Sequence, residues 1–177
     1  MIRIEVNIDD KKLTKALEGL AELGRDATPV MRGLAGIMGE TTETAFSMQR
    51  DPVTGTAWPD LHPEYKKQRY ARGYTGKMLH VKGTLATGIQ QEWGRDYARV
   101  GTNVIYAAAH QFGARTRPHV IRARRGKALL IPGMGFRRKV NHPGSNIPAR
   151  PFLGIGPEDR ENMRKLILTR LNELIAG

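Results

Sequence analysis

Residues 86–102 read Ala-Thr-Gly-Ile-Gln-Gln-Glu-Trp-Gly-Arg-Asp-Tyr-Ala-Arg-Val-Gly-Thr. Two stretches of strand-like composition, 86–93 and 97–102, flank the turn formers Gly94, Arg95 and Asp96, so the segment reads as a β-hairpin. Helical patterns lie on both sides of it. Upstream, Ile2, Ile4, Val6 and Ile8 alternate with polar residues as in a half-buried strand. Asp9 or Asp10 then caps a helix with Leu13, Ala16, Leu17, Leu20 and Leu23 on one face, ended near Gly24. Thr28 and Pro29 read as a cap and a first-turn residue, opening a second helix whose apolar stripe is Val30, Leu34, Ile37, Met38, Ala45 and Phe46. Gly33, Gly36 and Gly39 weaken that helix by about 1 kcal/mol each against alanine, and suit close packing of a neighbour.

Between the second helix and the hairpin, residues 50–61 are dense in turn formers around Trp58, and residues 63–72 form a polar helical segment expected at the surface. After the hairpin, residues 106–113 suggest a short helix stopped by Gly113, and residues 114–147 a basic arm holding one short apolar run, Ala-Leu-Leu-Ile at 128–131. From Glu158 a closing helix carries Met163, Ile167, Leu171 and Leu174 at helical spacing with Leu166 beside them, and is expected to pack on the sheet. The fold class is therefore α+β: a small mixed or antiparallel sheet packed by N-terminal and C-terminal helices, with a long basic loop or β-excursion. With 177 residues, one domain spanning 1–177 is expected.

An apolar share of 40% excludes a disordered chain, and only 6% aromatic residues make the core mainly aliphatic. The absence of cysteine removes disulfides, thiolate nucleophiles and cysteine-ligated zinc. No apolar run approaches the roughly 18 residues of a spanning helix, and neither an export signal nor a membrane anchor is expected. The formal charge of +12 points to an acidic or polyanionic partner, and its distribution is uneven. Residues 97–157 contain no Asp or Glu, yet hold Arg99, Arg115, Arg117, Arg122, Arg124, Arg125, Lys127, Arg137, Arg138, Lys139 and Arg150.

Catalytic and metal chemistry find no support. His62, His80, His110, His119 and His142 lack ligand spacing, and no serine sits in a nucleophile-elbow sequence. Asp51, Asp60 and Glu64 fall in loop or surface contexts without a paired base. Gly76-Lys77-Met78 is not a phosphate loop, because no Ser or Thr follows the lysine. No cofactor is implied.

Four segments in order are more specific than any of them alone: Phe46 with residues 50–61 (Arg-Asp-Pro-Val-Thr-Gly-Thr-Ala-Trp-Pro-Asp-Leu); Leu79, Gly83 and Leu85; residues 100–113 (Val-Gly-Thr-Asn-Val-Ile-Tyr-Ala-Ala-Ala-His-Gln-Phe-Gly); and residues 147–154 (Ile-Pro-Ala-Arg-Pro-Phe-Leu-Gly). Together they resemble the phage virion morphogenesis family, the Mu-like tail-completion proteins, which is similar to the broader group of neck proteins. The resemblance implies a non-enzymatic protein that completes the tail or joins it to the filled head, located in the virion tail or neck and in the host cytoplasm during assembly. It implies partners as well: copies of itself in a ring, sixfold on the tail side or twelvefold on the portal side; the tail terminator, tail tube and connector; and the packaged DNA backbone. Residues 127–132 and 140–145 look like a strand and turn of the neck group. The motif positions it marks as structural or interface residues are Asp51, Pro52, Gly55, Trp58, Tyr106, His110, Gln111, Phe112, Gly113, Pro148, Arg150, Pro151, Phe152 and Leu153.

Physical readings of these positions stand beside the resemblance. Asp51 caps a turn and Trp58 covers the end of the core, whereas an exposed Trp58 would anchor an interface. His110 and Gln111 bond to backbone. Pro148 and Pro151 hold an extended edge or crossing segment, with Phe152 and Leu153 entering the core and Arg150 near the surface or on a neighbour's carboxylate. In the arm, arginine outnumbers lysine, favouring bidentate contacts to phosphates or carboxylates. Phe136 is its only Phe, Tyr or Trp, too few for a single-strand stacking platform. A free, non-specific nucleic-acid-binding module is the alternative function.

Overall fold

A computed structural model describes residues 11–124, 126–131 and 135–176. The strand expected at residues 2–8 and the basic residue Arg125 lie outside the described residues. Helix α1 covers Lys11–Arg25 and α2 covers Thr28–Met48, close to the periodicity of their leucines and alanines. Thr28 is not the cap. Ala27 takes that place without a side-chain bond, and the Asp26 carboxylate accepts the Thr28 amide at 2.9 Å. Hydrogen bonding from Thr28 holds the Asp26 carboxyl below its ordinary value.

The hairpin forms from β1 (Ile89–Trp93) and β2 (Ala98–Thr102), antiparallel, with Glu92 opposite Arg99 and Arg99 Nε donating to Glu92 Oε2 at 2.8 Å. Its first strand starts later than the composition predicts. Gly83, at φ +75°, turns the chain into a single helical turn, α4 (Thr84–Thr87), which buries Leu85 before β1 begins. The polar segment is helix α3 (Pro63–Ala71), and it does not lie wholly at the surface. Arg69 is buried and its Nη2 donates to the Lys77 carbonyl at 2.9 Å.

Helix α2 is the central layer. The hairpin packs on α2, and α6 (Pro157–Ala176) packs on α1 and α2 rather than on a sheet as expected. The reason is visible at the glycines: Gly33 leaves room for Leu166 and Gly39 for the Gln91 side chain, where a Cβ would collide, while Gly36 faces open space. The apolar stripe of α6 thus meets helix, because α2 stands between it and the hairpin. At the start of α6, Pro157 occupies the first turn and the Asp159 carboxylate accepts the Gly156 amide at 2.7 Å.

The buried core joins Ala45, Trp58, Leu85, Ala107 and Phe152, with Phe46, Ile89, Val104 and Leu153 against it. The Phe46 ring lies 5.8 Å edge-on from Trp58 and 5.2 Å from Phe152. Short helix α5 (Ala107–Gln111) buries only the first of its three alanines. Beyond it the described strands pair as antiparallel two-stranded ladders: β3 (Ala114–Arg115) with β8 (Asn146–Ile147), β4 (His119–Arg122) with β7 (Lys139–His142), and β5 (Leu129–Ile131) with β6 (Gly135–Arg137). The basic arm is a nested hairpin.

Candidate functional site

Residues 49–58 form a closed loop at the end of α2. Gln49 adopts a left-handed conformation (φ 54°), its amide returning to Ala45 and its carbonyl accepting the Trp58 amide at 2.9 Å. Asp51 holds the turn, its Oδ1 accepting from Val53 N at 2.8 Å and Thr54 N at 3.3 Å while its carbonyl accepts from Gly55 N at 2.9 Å. Trp58 is 4% exposed and its Nε1 donates to the Pro151 carbonyl at 2.7 Å, so it is a core residue and not a surface anchor. Pro52 packs over Gly154 and its carbonyl faces Gly156, which ties the loop to the entry of α6.

The crossing segment after β8 is held by side chains on both sides. Gln111 is its staple: Oε1 accepts the amides of Phe152 and Leu153, both at 3.0 Å, and Nε2 donates to the Leu153 carbonyl at 2.8 Å. Pro148 and Pro151 lack amide donors, so the segment needs such side-chain ties in place of a ladder. Arg150 contradicts the surface placement expected of it. It is 6% exposed, its backbone amide donates to the His110 carbonyl at 2.7 Å, Nε to Pro59 O at 2.8 Å and Nη2 to Asp60 O at 3.1 Å. Five guanidinium donors in a planar fork can satisfy carbonyls that no strand reaches, and that outweighs the tendency of a charge to stay wet. Burial pushes its pKa down, opposed by the Asp60 carboxylate.

His110 also departs from expectation. Its Nδ1 is buried and has no hydrogen-bond partner among the described residues, and burial, followed by the nearby Arg150 charge, lowers its pKa. The Tyr106 ring stands edge-on at 5.8 Å. Gly113, at φ +76°, sits where a Cβ would crowd the Ile147 carbonyl and the Ala149 amide, so only glycine lets the arm leave here.

The arm keeps one register over two ladders: Ala114 faces Ile147, Arg115 faces Asn146, His119 faces His142 and Arg122 faces Lys139. Because opposed residues share a face, His119, Ile121, Val140 and His142 line one side, and Val120, Arg122, Lys139 and Asn141 the other. Like charges at Arg122 and Lys139 oppose each other with no acid nearby in the sequence. At the tip Leu130 faces Phe136, and the two are 69% and 71% exposed. Arg115, Arg117, Arg122, Arg124, Lys127, Arg137, Arg138 and Lys139 are all exposed. Their charge and these apolar side chains share one narrow element.

Sequence reasoning missed three features. Ile105 is 99% exposed just before α5, whose other flank holds Phe112, a motif position already marked in the sequence, at 79%. Such positions carry no local signal, since only the fold decides that they remain bare. The imidazoles of His119 and His142 stack at 5.0 Å across the arm. Two ligands fall short of a metal site, and among the described residues no group of three or more His, Asp or Glu side chains is placed to hold a cation. The third is a cleft of about 540 Å³ between α2 and the start of α6, whose acidic lining is Glu40, Asp51, Glu158 and Asp159 against a single base, Arg50. No helix among the described residues is long and apolar enough to cross a membrane.

Comparison of the sequence with known proteins points to one family. The sequence profile of the phage virion morphogenesis family matches residues 8–172. The chain is 30% identical to Mu-like prophage FluMu G protein 1 of Haemophilus influenzae, over 98% of each chain. It is 29% identical to the "Putative capsid assembly protein G" of Escherichia phage Mu, over 96% of this chain and 94% of that one. A second Haemophilus influenzae protein, Mu-like prophage FluMu G protein 2, is 35% identical over 92% and 91% of the two chains. No solved structure matches significantly.

Proposed function

The chain belongs to the phage virion morphogenesis family, and from that premise we propose that it is a non-enzymatic ring subunit of the neck, completing the tail or joining tail to head. The observation that carries the reading is the division of the molecule into a tied core and an arm whose charge and apolar side chains are left bare. A surface of that kind suits contact with other molecules better than catalysis. The name of the phage Mu relative, which refers to capsid assembly, supports a place in particle construction. A sixfold ring fits a tail-side position. The other partners are the tail terminator, tail tube or connector, and the arm's arginines suit acidic protein surfaces or DNA phosphates read without sequence.

Removing the arm tests this reading. Ala114 and Ile147 are directly paired, so residues 115–146 can be replaced by an Asn-Gly turn that closes the same ladder. The expected outcome is a folded core, and particles in which heads and tails fail to join. Normal particles accompanied by lost DNA retention would favour the non-specific nucleic-acid-binding module, for which the acid-free stretch of residues 97–157 speaks. Electron cryomicroscopy of intact particles then reads position and symmetry directly.

A further inference from the structure

We propose that the arm tip of one copy seats in the acidic cleft between α2 and the first turn of α6 on the next copy, linking ring subunits head to tail. This deepens the ring reading above and rests on it. The two surfaces are complementary in charge and in kind. The tip presents Leu130 and Phe136, directly paired and mostly exposed, beside Arg137, Arg138 and Lys139. The cleft is lined by the exposed acids Glu40 and Glu158, by Asp51 and Asp159, which also hold the adjoining turn and helix start, by one base, Arg50, and by the apolar Ile37 and Met48. Met48 is 66% exposed, so the cleft is not filled by its own chain.

Apolar side chains decide between a protein and DNA as the occupant of the tip. Phosphates would partner the arginines but leave Leu130 and Phe136 in water, and one phenyl ring gives no stacking platform. A cleft lined by both acidic and apolar side chains covers both kinds of group at once. Tip and cleft are different surfaces of the same chain. A contact between them is therefore heterologous, the type that closes into a ring when its rotation allows.

The chain has no cysteine, so disulfides can be placed at will. Leu130→Cys and Thr44→Cys put thiols on the exposed tip and on the exposed cleft wall. In particles produced from the genome that encodes the chain, the double variant should give a ladder of reducible multimers under mild oxidation, and neither single variant should. A ring visible in those particles without the Leu130→Cys to Thr44→Cys disulfide would overturn the arm contact and leave the ring reading standing; particles with no ring of this chain would overturn both. Charge reversal supplies a second readout. Glu40→Lys with Glu158→Lys, or Arg137→Glu with Arg138→Glu, should each weaken self-association about tenfold or more, and mixing the two variants should restore it. Unchanged association, or loss of DNA retention by the arginine variant with association intact, would also sink the proposal.

Discussion

The crossing segment at residues 148–153 and the arm at residues 114–147 are neighbours in sequence, and they are built on opposite principles. In the first, the side chains are tied inward: Arg150, expected near the surface, bonds to the carbonyls of residues 59 and 60, Gln111 holds three backbone groups of the segment, and Phe152 is fully buried as its sequence context predicts. In the second, β4 and β7 pair residue for residue, while Val120, Ile121, Leu130 and Phe136 stay wet and like charges face one another. The comparison teaches that backbone pairing and burial are separable. A segment can be well defined in register and still contribute little to the stability of its own chain, because its apolar area stays in water.

Four measurements test that contrast. Phe152→Ala should cost about 3–5 kcal/mol in chemical denaturation, since a fully buried ring leaves a cavity between Phe46 and its neighbours. Gln111→Ala strands the amides of Phe152 and Leu153 and the Leu153 carbonyl, for an expected loss of about 2–3 kcal/mol by the same assay. A smaller effect attaches to His110, whose folded pKa lies below the ordinary 6.5 because of burial and Arg150. The unfolded chain takes up the proton first as pH falls, so this contribution to stability is fully present above about pH 6.5 and is lost as pH drops through the lower folded-state value. Thermal melts at about pH 7.5 and about pH 5 should show a smaller drop in Tm for His110→Gln than for the parent chain. Smallest of all, Leu130→Ser with Phe136→Ser should shift folding stability by no more than about 0.5 kcal/mol, while particle assembly fails. A large folding defect in that pair would erase the distinction between the two regions.

The legible parts of the fold were those with a local period or local punctuation. Leucine and alanine spacing located α1, α2 and α6 within a few residues, and Gly94 to Asp96 located the hairpin turn. What α6 packs on was not legible, because an apolar stripe names a face and not its partner; the small residues of α2 decided that. Arg150 was misjudged for a related reason. Its carbonyl partners lie about ninety residues away, and a charge read alone belongs at the surface. In the arm, composition revealed the charge but not the ladders, since strands exposed on both faces show no alternation to read. The cleft was invisible until Glu40 on α2 and Glu158 on α6 came together.

The arm's single register has a consequence for how its length can change. From Arg115 to His119 and from His142 to Asn146 the two strands advance by equal numbers of residues, so both ladders belong to one alternation of faces. Lengthening it therefore requires matched insertions on the outgoing and returning strands. A lone inserted residue between Arg115 and His119 would turn His119 and Ile121 to the side now held by Val120 and Arg122, exchanging the imidazole face for the cationic one. Beyond Arg122 the rule relaxes, because residues 123–128 separate β4 from β5 where Arg138 alone separates β6 from β7. Tip variation is thus cheap and shaft variation is quantised in pairs, which makes the tip the place where a related chain can retune its reach without rebuilding the shaft.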